Sequence, residues 1–144
     1  MAHLVHPTHY SLCRKITRLT YIQVQGHQLE WNVWEVIKVF NSLMSPANLN
    51  QGRRTSITKY GESRKLFEDY YQRINEMQSE IFGLRAETVS EAYLDSEIER
   101  LREICHLIRT AIKDSIENLD EDNENFKDKL EIIRNLTFVN FAFE

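Results

Sequence analysis

The sequence predicts an all-α protein, a helical bundle that forms a single domain over residues 1–144. Four Gly and two Pro in 144 residues are too few for the closely spaced turns of a sandwich or barrel. Apolar residues recur at helical spacing in the N-terminal third, and two later segments carry heptad patterns. These three observations favour helices throughout the chain.

The first third predicts two helices separated at Gly26. Pro7 suits the first position of a helix near 7–25, and Leu12, Cys13, Ile16, Leu19 and Val24 form its apolar stripe. A second stripe consists of Leu29, Val33, Val36, Ile37, Phe40 and Leu43, and this helix must end before Pro46. The segment 16–34 leaves an alternative open, because Thr20–Val24 alternates like a strand and a hairpin could turn at Gly26.

The middle of the chain predicts a long antiparallel hairpin of helices at about 62–84 and 89–119. The first heptad stripe consists of Phe67, Tyr70, Ile74, Met77, Ile81 and Leu84, and the second of Leu94, Ile98, Leu101, Cys105, Ile108 and Ile112. Thr88 and Glu91 have the spacing of a capping box that starts the second helix. The connection is short, so the two helices should fold back on each other.

One C-terminal helix is predicted from Phe126, Leu130, Ile133 and Leu136, and the chain then ends in an aromatic segment. Dense exposed aromatics mark a contact site. Candidate partner-binding residues are therefore Phe138, Phe141, Phe143, Trp31 and Trp34. The heptad stripes can serve as the core of the bundle or as the interface of a homo-oligomer.

Charge divides the chain into two unlike halves. Residues 1–75 hold ten Lys/Arg against five Asp/Glu, whereas residues 76–144 hold eight against seventeen. Basic clusters neutralise phosphates, so the first half predicts contact with an RNA or DNA backbone. The candidate residues are Arg53, Arg54, Lys59, Tyr60, Arg64 and Lys65, with Arg14, Lys15 and Arg18 as a second group. An inhibitor that presents the acidic half to a basic partner is an alternative.

Arg100 and His106 are separated by five residues, which resembles the Arg-x4–6-His signature of the HEPN family of helical ribonucleases. The resemblance implies a dimeric ribonuclease in which the arginine holds a phosphate and the histidine acts on the 2′-hydroxyl. It covers seven residues, and Leu101 stands where that signature usually has a polar residue.

No complete catalytic constellation, metal site or cofactor motif is present in the sequence. Glu103 and His106 have the i, i+3 spacing of di-iron bundles, but a second such pair is missing. His3, His6 and His9 are interrupted by Pro7, and Cys13 and Cys105 predict two reduced thiols. No segment reads as a membrane span or a secretory leader. The leading hypothesis is therefore a cytoplasmic, non-enzymatic subunit or adaptor of an assembly that holds protein partners and nucleic acid.

Overall fold

The computed structural model describes residues 9–44 and 54–117, together with 128, 130–132 and 135; side chains 54–59 and 116 lie outside the described part. It contains three long helices: α1 at His9–Leu43, α2 at Arg54–Ile81 and α3 at Glu91–Glu117. The described residues are overwhelmingly helical and include no strand. The predicted all-α class is confirmed.

Helix α1 is one continuous helix, so the prediction of two N-terminal helices divided at Gly26 is wrong, as is the strand alternative for 16–34. The reason is an unbroken apolar register. Eight buried positions spaced 3, 4, 3, 4, 3, 4 and 3 face the core, and Gly26 is one of them. These positions are Leu19, Ile22, Gly26, Leu29, Val33, Val36, Phe40 and Leu43. Here a glycine inside the stripe is a packing residue and not a helix end.

The three helices form an up-down-up bundle. Phe40 of α1 lies against Tyr60 near the start of α2, with ring centroids 6.3 Å apart, and Gln78 near the end of α2 reaches Gln23. Helices α1 and α2 are therefore antiparallel. Arg100 of α3 pairs with Glu80 of α2 at 3.4 Å, and the starts of α1 and α3 are joined by ion pairs, so these two helices are parallel.

The most extensive helix contact is between α1 and α2. The sequence instead predicted α2 and α3 as the central pair, at about 62–84 and 89–119. Both predicted heptad stripes nevertheless face the core. Most of their side chains are fully buried, and Leu84 and Ile98 are partly buried against the core. Phe40 stacks on Phe67 with ring centroids 5.6 Å apart, which joins the α1 and α2 stripes.

Residues 82–90 connect α2 to α3. Gly83 adopts φ 86°, a left-handed conformation that suits glycine after a helix end. Ser90 caps α3, since its hydroxyl accepts a hydrogen bond from the backbone N–H of Tyr93 at 3.0 Å. The predicted cap was Thr88, but that hydroxyl donates instead to the carbonyl oxygen of Arg85. The helix therefore begins two residues later than predicted.

The predicted C-terminal helix lies mostly outside the described residues. Those that are described there, 128, 130–132 and 135, are helical. Leu130 is completely buried, whereas Ile132 is 62% exposed. At least this part of the C-terminal segment packs an apolar side chain into protein.

Candidate interaction surface

The side of α1 that points away from the core has an unusual composition. Eleven residues between His9 and Trp34 are exposed, and Arg14 is the one Lys, Arg, Asp or Glu among them. Eight of the eleven are spaced 3, 4, 3, 4, 3, 4 and 3, the same period as the buried stripe. We call these eight residues the outer stripe: Tyr10, Cys13, Thr17, Thr20, Val24, His27, Trp31 and Trp34.

The outer stripe exposes large apolar side chains to solvent. Tyr10 is 76% exposed, Val24 56%, Trp31 50% and Trp34 44%, and Ile16 beside the stripe is 47% exposed. A helix on the surface of a bundle normally places charged residues opposite its buried face, and a helix that is apolar on both sides is normally covered on both. The outer stripe therefore has the composition of a contact surface.

Trp34 links the outer stripe to α2. Its ring lies 5.7 Å from the ring of Tyr71, which is half-buried against the core. This contact holds the indole against the bundle and restricts its motion. A pre-ordered aromatic side chain loses little entropy when a partner covers it, which favours binding.

Of the five candidate partner-binding residues, two belong to the outer stripe and three are not described by the structure. Trp31 and Trp34 lie on the same face of α1, and both are partly exposed. Phe138, Phe141 and Phe143 lie outside the described residues. The sequence missed the rest of the outer stripe, because Cys13 and Val24, like the neighbouring Ile16, were assigned to the apolar stripe of the first predicted helix. The signal that could have identified it is a second heptad register of uncharged residues on one helix.

A groove of about 670 Å³ runs between the first turns of α1 and α3 and begins at Tyr10 and Cys13 of the outer stripe. Its walls carry opposed charges. Arg14 lies 4.0 Å from Glu91, Arg18 forms an ion pair with Asp95, and Arg102 pairs with Glu99 within α3. Two arginines of the basic half of the chain therefore pair with carboxylates of the acidic half within the molecule.

The candidate nucleic-acid residues occupy two separate places. Arg14, Lys15 and Arg18 lie near the start of α1, and Lys15 is half-buried. Arg64 donates a hydrogen bond to the Asn41 side chain at 3.1 Å, which places the other cluster near the end of α1. From Arg18 to Asn41 the helix rises by about 35 Å. The bundle therefore does not join the two clusters into one patch.

Within the second cluster the side chains have different surroundings. Tyr60 packs against Phe40, and Arg64 also lies 3.5 Å from Glu68. Lys65 is exposed. Arg54 and Lys59 belong to α2, but their side chains, like the whole of Arg53, lie outside the described part.

Arg100 and His106 do not converge within one chain. The Arg100 guanidinium is held by Glu80 at 3.4 Å and by Glu97 at 3.8 Å, whereas His106 is exposed. Six residues of α-helix separate them by about 9 Å along the axis and by roughly a third of a turn. The arginine is therefore committed to two carboxylates of its own bundle.

Glu97 is a carboxyl group buried at the interface of α2 and α3, with 6% of the residue exposed. Burial raises its pKa, the neighbouring Arg100 lowers it, and Glu80 raises it. Its Oε2 atom has no hydrogen-bond partner. The ionised form of this carboxyl is an electrostatic cost to the fold, because Arg100 lies 3.8 Å from Oε2 as an ion-pair neighbour and not as a hydrogen-bond partner.

The two cysteines differ in environment. Cys13 is exposed in the outer stripe, and its Sγ lies 3.7 Å from Nε2 of His9. Cys105 is buried, and burial raises the pKa of its thiol to about 12. No group of three or more His, Cys, Asp or Glu side chains suitable for a metal ion occurs among the described residues, and His3 and His6 lie outside them.

Comparison of the chain with protein-family models, curated proteins and solved structures finds no match. Among the described helices, none has both the length and the apolar character needed to cross a bilayer.

Proposed function

We propose that this protein is a non-catalytic helical subunit or adaptor that works by binding another protein through the outer stripe of α1. The observation that carries the proposal is that no residue of the outer stripe is charged, while Val24, Trp31 and Trp34 within it are half-exposed. Covering apolar surface releases about 25 cal/mol per Å², so a partner gains binding energy along the whole stripe.

A contact role also fits the chemistry of the remaining surface. Tryptophan is enriched among the residues that dominate binding energy at protein interfaces, and two of them lie three residues apart here. By contrast, Arg100 is bound by two carboxylates and separated from His106, which gives the ribonuclease alternative no convergent site in one chain. The acidic-inhibitor alternative is weakened in a similar way, since Glu91 and Asp95 already face arginines of α1.

Nucleic-acid backbone contact is a second candidate function, at the start of α2. Its first turn has no acidic residue, in contrast to α3, which begins with Glu91. The positive end of the helix dipole and the basic residues Arg54 and Lys59 then act in the same direction on a phosphate. The support is electrostatic and carries no sequence preference.

The protein-contact proposal is tested by a photo-crosslinking amino acid placed in the full chain in cells. At Val24, benzoylphenylalanine should form a covalent adduct with a definite protein, which is then identified by mass spectrometry. At Lys113, an exposed residue of α3, the same group is the matched control and should form no such adduct. The adduct at position 24 should be lost when Trp31→Glu is added. Equal labelling from both positions, or none from position 24, contradicts the proposal.

A further inference from the structure

We propose that the partner of the outer stripe is a second copy of this chain, bound with its α1 antiparallel to the first. This inference rests on the proposed function, because it names the occupant of the same face. An antiparallel pair related by a two-fold axis is isologous, so each residue of the stripe must face a specific other residue of the same stripe.

The outer stripe has the symmetry that such a pair requires. An axis level with Ile22 places Tyr10 opposite Trp34, Cys13 opposite Trp31, Thr17 opposite His27 and Thr20 opposite Val24, and all eight positions find a counterpart in the stripe. Larger residues occupy the C-terminal half and mostly small ones the N-terminal half. Each indole or imidazole of one copy therefore meets Tyr10, Cys13 or Thr17 of the other.

Size complementarity favours the antiparallel over the parallel orientation. A parallel pair would place Trp31 against Trp31 and Trp34 against Trp34 at one end, and Cys13 against Cys13 and Thr17 against Thr17 at the other. The helices would then be held apart at one end and leave voids at the other, and close packing disfavours both. In the antiparallel pair, Trp31 instead meets Cys13 and His27 meets Thr17, so these two layers each combine a large with a small side chain.

The period of the stripe fits helices that wrap around each other. A strict 3, 4 repeat drifts by about 20° per heptad on a straight α-helix, and a left-handed supercoil removes the drift. The stripe runs from Tyr10 to Trp34, a span of 25 residues and about 36 Å of helix, and none of its eight residues is charged. Like-charged repulsion between copies is therefore absent along the contact line.

The area available is in the range of a stable interface. With roughly 200 Å² per aromatic side chain, the exposed fractions of Tyr10, Trp31 and Trp34 amount to about 350 Å² on each copy. Ile16 and Val24 add further apolar surface, as do the smaller residues between them. A standard interface buries about 800 Å² per partner, and the three aromatic side chains alone supply somewhat under half of that area.

Sedimentation equilibrium of the purified full chain tests the proposal. The wild type should be a dimer. Val24→Glu should shift it to the monomer by placing carboxylates on both sides of the axis, while the helical signal in circular dichroism stays unchanged. Lys113→Glu, the matched change on an exposed α3 position, should remain dimeric. A monomeric wild type overturns the proposal, as does a Val24→Glu variant that dimerises as strongly as the wild type.

The orientation is tested by disulfide trapping. In the antiparallel pair, the two Cys13 residues are 18 residues apart along the helices, about 27 Å, so diamide should not cross-link the wild type. In Trp31→Cys the new thiol faces Cys13 of the other copy. Diamide takes up two electrons and two protons from the two thiols, and a covalent dimer forms. Adding Cys13→Ser should abolish the product. Wild-type cross-linking through Cys13, or a Trp31→Cys dimer that sediments normally and is never trapped, rules out the antiparallel arrangement.

Failure of this inference can be distinguished from failure of the proposed function. Suppose that the wild type is a monomer and that position 24 still forms a Trp31-dependent photo-adduct with a different protein. That outcome rules out a second copy as the partner, but it supports the proposed contact function of the outer stripe. A monomer with no adduct from position 24 overturns both. A self-adduct from position 24 in a dimeric chain supports both.

Discussion

The side chain of Gln78 lies directly over Gly26, where α1 and α2 cross closely. Its amide nitrogen donates a hydrogen bond to the carbonyl oxygen of Gln23 at 3.1 Å. A Cβ atom added to Gly26 would lie 2.8 Å from Cδ of Gln78, well inside van der Waals contact. Glycine at this register position therefore makes room for an interhelical hydrogen bond. This role explains a glycine inside a continuous helix.

Gly26→Ala should leave stability nearly unchanged in the wild type and raise it in a Gln78→Ala background. Alanine is favoured over glycine inside a helix by about 1 kcal/mol. In the wild type that gain is offset because the new methyl group displaces the Gln78 amide and breaks a hydrogen bond of about 1 kcal/mol. Urea unfolding of the four chains measures both effects.

The coupling between the two substitutions should be about 1 kcal/mol. Gly26→Leu serves as the steric control. It should lower the stability of both the wild type and the Gln78→Ala variant, because its larger side chain would clash with α2 even without the Gln78 amide. If Gly26→Ala is equally stabilising with and without Gln78, the amide does not occupy this space in solution.

The register of α1 explains what the sequence could and could not predict about the fold. Positions such as Val33, Phe40, Phe67 and Ile108 were predicted as core from their spacing, and all are buried, because a 3, 4 period fixes one helix face. Gly26 was misread, because glycine at a helix end and glycine at a close helix crossing look alike in sequence. Only the neighbouring helix, and Gln78 on it, distinguishes the two.

The candidate site was harder to predict for a related reason. Ile16 and Val24 are apolar and were assigned to the core, yet both are exposed. A helix with two apolar registers does not reveal which one faces its own bundle. Charge was similarly ambiguous, because Arg18 and Asp95 are far apart in sequence and pair only when α1 and α3 lie parallel.

Exchanging the charges of Arg18 and Asp95 should restore stability that either single reversal removes. Asp95→Arg places a third positive charge beside Arg14 and Arg18, and Arg18→Asp places a negative charge beside Glu91 and Asp95. Both sites are partly exposed, so each reversal should cost about 1 kcal/mol or less. Thermal unfolding at low and high salt measures the effect.

The double reversal should recover most of the loss at low salt, and the differences should shrink in 1 M salt because exposed charges are screened. Lys113→Glu provides a reversal elsewhere on α3 for comparison. Additive losses in the double variant would show that the two side chains do not interact in solution.

Only one of the two thiols should react under native conditions. In the Val24→Glu chain, whose outer stripe is not covered by a second copy, Cys13 is exposed and should be modified rapidly by a disulfide reagent. Cys105 should be protected, because it is 2% exposed and burial raises its thiol pKa to about 12, so almost no thiolate is present at neutral pH. Absorbance titration should therefore count one thiol in buffer and two in denaturant.

In the Cys13→Ser variant, the titration should detect no reactive thiol under native conditions and one thiol in denaturant. The rate at which Cys105 becomes reactive then reports opening of α3 from the core. A Cys105 that reacts as quickly as Cys13 in buffer would contradict its burial between the helices.

Glu97→Gln should stabilise the protein at neutral pH and have little effect near pH 4. Folding raises the pKa of this carboxyl above its ordinary value of 4.5, chiefly through burial. The folded chain thus binds the proton more tightly, and the stability contributed by this group is complete below pH 4.5 and is lost as pH rises through the folded value. Glutamine carries no charge at any of these pH values. The Glu97→Gln variant should therefore become more stable than the wild type as pH rises from 4.5 through the pKa of Glu97 in the folded chain.

The gain at pH 7 should be on the order of 1 kcal/mol, and urea unfolding between pH 4 and pH 8 measures it. Glu103→Gln, at an exposed position of the same helix, should show no such pH-dependent gain. If Glu97→Gln instead destabilises at pH 7, the attraction to Arg100, 3.8 Å away, outweighs the cost of burying the carboxylate.

Charge reversal at the start of α2 should weaken any binding of RNA or DNA to this protein. Arg54→Glu and Lys59→Glu remove two positive charges in the first two turns of α2 and add two negative ones. Each lost phosphate contact lowers the slope of log affinity against log salt by about 0.9 for duplex and about 0.7 for single strands. Fluorescence anisotropy with a labelled oligonucleotide, measured from 50 to 200 mM salt, gives both affinity and slope. Arg14→Glu is the informative comparison: this arginine already faces Glu91 and lies at the other end of α1, so its reversal should change the slope less than the change at Lys59. Equal effects at both ends would require a nucleic acid that spans the bundle, and no effect of either Arg54→Glu or Lys59→Glu would remove the start of α2 as a phosphate site.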